Sequence, residues 1–360
     1  MPRRPISPQL LARQALALLI GYASARVALW LYLPLPWMLG PMFGCTVAAL
    51  AGAPISGPNQ LRMIVIPIIG VLLGSAITLP VLLSMPGWWP AFLVLAPFLL
   101  AALAGSYVVF RRLGGFDRST AFFSAMPGGL NDAMLLGAAA GGDERRIALA
   151  HATRILVVVF LIPLFFSLVY GATGSAGGGN PARNVALSAL SLSDWAILTA
   201  AAALGYWGGK KLDLPAYAVM GPMIVSGAAH VAGIVHVAPP TQLVNLAQLV
   251  IGVVIGCRFL GTTFREVSRE MAVAGASAAV MIVIALAFAV PVAAIMQMPA
   301  TQAFLAFSPG GLAEMSLLAL SMGEDLAFVS VMHLTRIALV VAMARPIWRW
   351  VARRGEKDGA

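Results

Sequence analysis

The chain has 360 residues, of which 60% are hydrophobic and only 10% are charged, whereas an ordinary globular domain is about 25% charged. Apolar runs of about 20 residues, long enough to cross a bilayer, recur along nearly the whole chain, so a soluble protein is excluded and one integral membrane body is predicted. The net charge of +10 does not indicate nucleic-acid binding, because the cytoplasmic loops of membrane proteins collect Lys and Arg.

The first half is predicted to contain six apolar segments. Four of them cover about residues 10–33, 36–53, 61–83 and 90–110, with a Gly40-Pro41-Met42 break in the second. Residues 86–90, which include two tryptophans, predict an interfacial turn. The fifth segment follows loop 111–118 and is interrupted by Pro127, Gly128 and Gly129; the sixth covers about residues 144–170. The basic residues before the first segment resemble a signal peptide, but Arg13 and Arg26 interrupt the apolar run, which favours a retained first span.

The second half repeats this order after a Gly-rich polar linker. We predict a first membrane repeat at 1–170, a linker at 171–193, a second repeat at 194–350 and a cytoplasmic tail at 351–360. The predicted segments of the second repeat cover residues 194–208, 214–236, 242–260, 272–296, 302–322 and 326–350. Nothing else in the sequence resembles a domain boundary.

Polar residues recur in the two halves at a nearly constant offset, which indicates an internal duplication. At 182 positions the matching pairs are Pro127 with Pro309, Gly128 with Gly310, Gly129 with Gly311, Asp132 with Glu314, His151 with His333 and Arg154 with Arg336. The Gly-Pro-Met triplet recurs at 181 positions, as Gly221-Pro222-Met223. These triplets predict either kinks that allow close helix packing or a second discontinuous element beside the site.

The distribution of positive charge favours inverted halves. Twelve full spans would leave seven basic loop residues outside the cell. If the fifth segment of each half is instead a re-entrant hairpin, nineteen basic loop residues lie inside and only Arg183 lies outside. We therefore predict an all-α membrane protein with two inverted repeats, ten crossings, two Pro-Gly-Gly hairpins and both termini in the cytoplasm. Inverted repeats would also result if the broken fifth segment of each half crosses the membrane and another segment of that half does not.

The Pro-Gly-Gly breaks are predicted to line a cavity, because unpaired backbone groups are tolerated at membrane depth only inside protein or beside water. The half-helix after each break directs free N–H groups and a positive dipole end at that cavity, where an anion or a carboxylate is stabilised. Asp132 and Glu314, the acidic residues at this depth, are predicted to bind or relay a coupling ion, or else to pair with an arginine.

The other polar residues of the predicted site allow more than one role. Arg154 and Arg336 are interpreted as partners of the carboxylates or as contacts for an anionic substrate, and His151 and His333 as proton relays or structural hydrogen-bonding groups. Residues without a counterpart in the other half are hypothesised to set selectivity, with helix–helix hydrogen bonding as the alternative: Asn131, Asn245, Gln248 and Ser316.

Several kinds of chemistry have no motif in this sequence. Cys45 and Cys257 lie in apolar segments and lack metal-ligand spacing, so they are predicted to be small buried residues. No phosphate-binding Gly-rich loop and no converging His or carboxylate set is found in local spacing. We therefore predict no catalytic residue, no enzyme activity, no metal and no cofactor.

The doubled Pro-Gly-Gly-Leu with its acidic residue, followed by His-x-Thr-Arg and joined by the doubled Gly-Pro-Met, resembles the bacterial AbrB-duplication family of inner-membrane proteins. The resemblance covers essentially the whole chain. Members of that family, which is distinct from the soluble DNA-binding AbrB regulators, carry labels such as ammonia monooxygenase or membrane regulator of gene expression. The pattern is also similar to inverted-repeat secondary transporters with broken helices.

These features are compatible with three functions. The leading hypothesis is a bacterial inner-membrane transporter that binds a small polar or anionic solute, coupled to protons or another ion, by alternating access. The alternative is a membrane-embedded regulator that acts on gene expression through a partner and its short cytoplasmic surface. Ammonia oxidation is the third and would require copper or iron. The expected partners are a small solute or ion and the lipid bilayer, and a homo-oligomer is left open.

Overall fold

The computed structural model describes residues 7–127, 130–170, 185–261 and 264–357. For residues 130–132, 163–170, 264–267 and 353–357 it describes the backbone only. The described residues form α-helices and no strand. In the first half the helices are α1 (Pro8–Trp30), α2 (Pro36–Leu50), α3 (Asn59–Ser75), α4 (Leu79–Ser84), α5 (Trp89–Arg112), α6 (Arg118–Ala125), α7 (Leu130–Ala139) and α8 (Glu144–Tyr170). In the second half they are α9 (Leu192–Lys211), α10 (Tyr217–Val231), α11 (Thr241–Gly256), α12 (Phe264–Met296), α13 (Ala300–Phe307), α14 (Leu312–Met322) and α15 (Leu326–Lys357).

In the described part of the chain, five helical stretches are long and apolar enough to cross a membrane. They are Pro8–Trp30, Leu79–Arg112, Thr241–Phe259, Ser268–Met296 and Leu326–Ala352. Shorter apolar helices accompany them at Pro36–Leu50, Asn59–Ser75, Tyr217–Val231 and Leu312–Met322. Long apolar helices of this kind satisfy all their backbone groups internally, which is what the hydrocarbon core of a bilayer requires. The chain is therefore an all-helical membrane protein, as the composition predicts.

The helices of the two halves begin at matching positions. Helices α3, α6, α7 and α8 begin 182 positions before α11, α13, α14 and α15. Helix α2 begins 181 positions before α10, and each follows a residue in the left-handed region, Leu35 with φ 46° and Ala216 with φ 49°. Non-glycine residues adopt this conformation at a cost. Its recurrence therefore shows that the two halves share local backbone geometry as well as sequence.

The helices group into two bundles. Bundle one consists of α1–α3 and α9–α11, which pack mainly on one another. Bundle two consists of α5–α8 and α12–α15, and it holds all four of the short helices that flank the Pro-Gly-Gly breaks. The contacts between the bundles are made chiefly by α3 with α14 and α15, by α2 with α8, and by the turn Cys257–Phe259 with α8.

Small residues bring bundle one together across the two halves. A methyl group on Gly252 of α11 would lie 2.5 Å from the Met38 carbonyl oxygen of α2, and one on Gly256 would lie 2.6 Å from the Met42 carbonyl oxygen. Residue numbers therefore rise together along α2 and α11, so these two helices run parallel. Gly74 packs in the same way against the Met223 carbonyl oxygen of α10. Such close backbone approach is the usual role of small residues in membrane helices.

A substitution at Gly256 tests this packing. Gly256→Ala is expected to destabilise the protein by about 1–3 kcal/mol, because the added methyl group has no room beside α2. Gly208 of α9 has open space around its Cα, so Gly208→Ala is the matched control and is expected to be neutral or stabilising. The Tm of both variants in detergent is the measurement. Equal Tm values would contradict the close packing of α2 on α11.

Helices α5 and α12 occupy equivalent positions in the two halves and contact each other directly. The rings of Phe98 and Phe288 lie 5.8 Å apart, and the hydroxyl groups of Ser106 and Ser277 lie 2.5 Å apart. Residue numbers rise along α5 while they fall along α12, so these equivalent helices run antiparallel.

One contact of bundle two has different chemistry in the two halves. Arg146 of α8 pairs with Glu270 of α12 at 3.0 Å. The residues at the equivalent positions, Phe328 of α15 and Trp88, pack edge to face with ring centroids 5.2 Å apart. The two halves therefore preserve the position of this contact but not its polarity.

Three sequence-based details are corrected or resolved by the structure. The Gly-Pro-Met triplets do not interrupt their helices: α2 and α10 continue through Pro41 and Pro222, and the preceding glycines pack against α1 and α9. The predicted interfacial turn is a 3-10 helix, in which Trp88 is buried against Phe328. The two cysteines, Cys45 and Cys257, are buried as predicted.

Candidate functional site

The short helices of bundle two form two pairs, α6 with α7 and α13 with α14. Within each pair, the start of the first helix lies beside the end of the second, and we call this the open end of the pair. The Asp143 N–H, just after α7, donates to the Thr120 hydroxyl near the start of α6 at 2.9 Å. Similarly, the Thr301 hydroxyl near the start of α13 donates to the Glu324 carboxylate just after α14. The chain therefore reverses between the two arms of each pair. An arm of eight residues is about 12 Å long at 1.5 Å per residue, which is less than half of a bilayer core of about 30 Å.

The open end of the first pair is capped by Asp117. Its carboxylate accepts from the Thr120 N–H at 2.9 Å and from the Ser119 hydroxyl at 2.7 Å, which fixes the first turn of α6. Partial burial acts to raise the pKa of Asp117, but the hydrogen bonds from Thr120 and Ser119 together hold it below its usual value. Asp117 is thus a structural cap for the first arm.

At the tip of the first pair, His151 and Arg154 of α8 bind the carbonyl end of α6. His151 Nε2 donates to the Phe123 carbonyl oxygen at 2.9 Å, and Arg154 Nη1 donates to the Met126 carbonyl oxygen at 2.7 Å. Arg154 Nη2 donates to His151 Nδ1 at 2.9 Å, so both ring nitrogens of His151 are in use. This pattern requires the neutral tautomer with its proton on Nε2.

The second tip repeats this arrangement with one difference. His333 Nε2 donates to the Leu305 carbonyl oxygen at 2.8 Å, and Arg336 Nη1 donates to the Ser308 carbonyl oxygen at 2.5 Å. Arg336 Nη2 donates to the Gly310 carbonyl oxygen instead of its histidine. As a result, His333 Nδ1 has no hydrogen-bond partner among the described residues. Arg336 Nε also has none there, although both side chains are buried.

These contacts explain why each break needs a histidine and an arginine. A helix that ends leaves its last carbonyl groups without intrahelical partners, and an unpaired carbonyl inside a membrane costs several kcal/mol. The spacing of three residues places His and Arg on one face of α8 or α15, where they reach carbonyl groups on the same arm. Arg336 is therefore bonded to the backbone carbonyls of Ser308 and Gly310, and it also lies within electrostatic range of Glu314.

Glu314 lies at the positive end of a half-helix. It is the third residue of α14, and its carboxylate folds back over the first residue before the helix, Gly311. The N-terminus of a helix stabilises a negative charge through its free N–H groups and its dipole. Glu314 is half-buried at the boundary of the two bundles and lies within electrostatic range of Arg336 and Arg258.

Arg258 and Arg62 were not predicted as site residues, because both lie near the ends of predicted apolar segments, where a basic residue is typical of the adjoining loop. Arg258 lies in the turn Cys257–Phe259 after α11, between two buried neighbours, and Arg62 lies in the first turn of α3. Both belong to bundle one, and each is within electrostatic range of the other. The position equivalent to Arg258 is Ala76, so Arg258 lacks a polar counterpart in the other half, which is the same signal that marks Asn245 and Gln248.

The remaining predicted residues are distributed as follows. Pro127, Pro309 and Gly310 are buried at the two tips, and Gly311 is half-buried. Ser316 is buried and accepts from the Ser330 hydroxyl at 2.9 Å, which is the helix–helix hydrogen bond left as its alternative role. In α11, Gln248 is buried and Asn245 is half-buried. Gly128 and Gly129, together with the side chains of Asn131 and Asp132, lie outside the described residues.

The first tip also borders a small apolar crevice. Side chains of α5 and α15 form most of its wall, and the residues lining it are Leu99, Leu100, Leu103, Phe122, Met126, Pro127, Val340, Met343, Ala344 and Ile347. The described side chains that donate hydrogen bonds at this tip, His151 and Arg154, come instead from α8. No cluster of three or more His, Cys, Asp or Glu side chains that could hold a metal ion occurs in the part of the chain that was described.

Comparison with known proteins gives three matches. The sequence model of a family described as "Transition state regulatory protein AbrB" matches residues 37–352. The chain is 28% identical over 303 residues to "Uncharacterized protein YhjN" of Bacillus subtilis (strain 168), covering 81% of this chain and 78% of that protein. It is 23% identical over 348 residues to "Putative regulator AbrB" of Escherichia coli (strain K12), covering 96% of this chain and 97% of that protein.

Proposed function

Since the chain belongs to the AbrB family, we propose from its paired helix breaks that it is a multi-pass transporter of a small anionic or polar solute. It works by alternating access, with both termini in the cytoplasm of a bacterial cell and the transport site at the two tips. The observation that carries the proposal is the doubled break, in which a histidine and an arginine bind the carbonyl end of a helix that stops after 8 residues. Broken helices of this kind bind substrates and coupling ions in secondary transporters.

Inverted repeats are supported by the directions of the helices. If equivalent helices of the two halves have opposite orientation, a contacting equivalent pair must be antiparallel, as α5 and α12 are. Consecutive spans alternate in direction, so α2 runs opposite to α3. In inverted repeats α11, the equivalent of α3, also runs opposite to α3, so α2 and α11 must run parallel, as they do. Parallel repeats would require the reverse in both cases. The two helix pairs are accordingly re-entrant hairpins that enter from opposite faces.

The two bundles suggest which parts move. Both hairpins belong to bundle two, and the contacts within each bundle are more extensive than the contacts between them. We expect bundle two to shift as a unit against bundle one, carrying the two tips from access at one face to access at the other. Glu314 faces the boundary and is placed to carry the coupling ion, and Asp132 is its counterpart by sequence.

Transport is tested by reconstitution. Solutes that stabilise the purified protein in detergent are first found by a thermal-shift screen of carboxylates, amino acids, phosphate and sulfate. Uptake of each stabilising solute into proteoliposomes is then measured with an imposed proton or sodium gradient, with protein-free liposomes as the control. We expect gradient-dependent uptake that the protein-free liposomes lack. A stabilising solute that never crosses the membrane would contradict the transporter proposal.

A regulator remains the second candidate, because the family description and the Escherichia coli relative both carry that word in their names. Such a protein would pass a signal to a soluble partner through its cytoplasmic loops and its tail. The test is capture of a specific soluble partner by the full-length protein and by a variant that ends at residue 350. Capture that depends on the tail, in a protein that moves no solute, would favour regulation over transport.

A further inference from the structure

The boundary between the two bundles carries an excess of positive charge beside the two tips. Bundle one contributes Arg258 and Arg62, and bundle two contributes Arg336 and the carboxylate of Glu314. On the side of α8, Arg258 also acts on His151, and Arg154 acts on Arg336. These described groups comprise four arginines and one carboxylate, with both histidines buried, so they favour an anion at the boundary.

The two arginines of bundle one differ from those of bundle two in their partners. Arg154 and Arg336 donate to backbone carbonyls at 2.7 and 2.5 Å, so their positions are determined by the breaks. Arg258 is instead held by its neighbours, since Cys257 and Phe259 are 7% and 0% exposed while Arg258 itself is half-buried. The turn that carries Arg258 contacts α8, and α3, which carries Arg62, contacts α14. The charge of Arg258 therefore lies within electrostatic range of Glu314 in bundle two, with Arg62 within range of Arg258, and neither arginine belongs to the breaks.

Two buried polar atoms at the second tip lack a partner in the described part of the chain and could accept one from a ligand. His333 Nδ1 and Arg336 Nε are buried without a hydrogen-bond partner among the described residues, which is a cost that a native protein rarely accepts. The first half has no arginine or other polar residue equivalent to Arg258, because Ala76 occupies that position. The charge of Arg258 is therefore not a requirement of the shared fold.

From this arrangement we propose that Arg258, with Arg62, binds the carboxylate or phosphate group of the transported solute between the bundles, in competition with Glu314. The guanidinium group of an arginine matches both oxyanions with two parallel hydrogen bonds. While the site is empty, the carboxylate of Glu314 is the described anionic counter-charge of Arg258 and Arg336. An entering anion neutralises the same arginines, so the carboxylate of Glu314 and the anion of the solute compete for one positively charged site.

The proposal rests on the proposed transport function and identifies the class of its substrate. It is tested by the thermal shift and by titration calorimetry of the purified full-length protein, with succinate and inorganic phosphate as probes and choline as the cationic control. At least one anion is expected to bind the wild type, and Arg258→Gln is expected to weaken that binding at least tenfold. Arg269→Gln changes an exposed arginine of α12 and is the matched control, with binding unchanged.

A second variant distinguishes competition from simple loss of structure. Glu314→Gln removes the competing charge and is expected to strengthen binding of the same anion several-fold, an effect that damage to the fold would not produce. Unchanged anion binding in Arg258→Gln, binding of choline alone, or no binding of either anion by the wild type would overturn the proposal. If anions bind as expected but none crosses the bilayer, the anion site stands and the transport function fails. If solute uptake survives intact in Arg258→Gln, the anion site fails and transport stands.

Discussion

Glu314→Gln is expected to abolish ion-coupled uptake while the protein remains folded. Glutamine has the shape of glutamate but carries no charge at any pH, so the half-helix of α14 keeps its packing and loses only the group that binds or releases the coupling ion. We expect the rate of gradient-driven uptake in proteoliposomes to fall by at least tenfold, which corresponds to an increase of about 1.4 kcal/mol or more in the activation free energy of transport. The sequence equivalence predicts the same for Asp132→Asn.

Two measurements are needed to interpret that result. The Tm of Glu314→Gln should stay close to the wild-type value, and Glu144→Gln, an exposed carboxylate at the start of α8, should transport normally. If both Glu314→Gln and Asp132→Asn take up solute at the wild-type rate, the carboxylates have no part in coupling.

Arg336→Met is expected to destabilise the protein more than Gly256→Ala does. Methionine occupies similar space but leaves the carbonyl oxygens of Ser308 and Gly310 without a donor inside the membrane. Hydrogen bonds from a charged group contribute about 1.5–3 kcal/mol each, so the loss of two amounts to roughly 3–6 kcal/mol. The readouts are the Tm in detergent and the amount of folded protein recovered from membranes.

The appropriate comparison for this variant is Arg345→Met, which replaces an exposed arginine on the same helix, α15. That change should leave the Tm nearly unaltered. Arg336→Lys should lie between the two, because an ammonium group cannot donate to both carbonyl oxygens in the planar geometry of a guanidinium. A wild-type Tm for Arg336→Met would mean that the second tip does not depend on its arginine.

The sequence predicts the helical membrane architecture well because that architecture depends on composition and on the length of apolar runs. The repeated Pro-Gly-Gly motif also marks the two helix interruptions, since the structure ends α6 and α13 just before Pro127 and Pro309. Proline and glycine determine such breaks locally, through a missing donor and through backbone freedom. Local chemistry of this kind can be read directly from one chain.

The roles of the arginines and the Gly-Pro-Met triplets could not be settled from the sequence, because they depend on tertiary packing. Arg336 binds carbonyl groups that are 26 and 28 positions away, and nothing in local spacing distinguishes these from a carboxylate. Pro41 would normally interrupt a helix, yet α2 continues because neighbouring helices hold it in place. Arg258 was assigned to a loop because its contact with bundle two arises only when α11 packs between the halves.

Alternating access in this protein requires the two hairpins to enter the membrane from opposite faces. Arg118 and Ala300 are exposed, equivalent residues at the first position of α6 and α13. Each is changed to cysteine in a separate variant. The variants are labelled with a membrane-impermeant maleimide, both in intact spheroplasts and in inside-out vesicles. The wild type is the control, because its own two cysteines are buried.

We predict that Arg118→Cys is labelled only in inside-out vesicles and Ala300→Cys only in spheroplasts. Labelling of both variants from the same face would contradict the inverted arrangement, and with it the convergence of the two tips on one transport site.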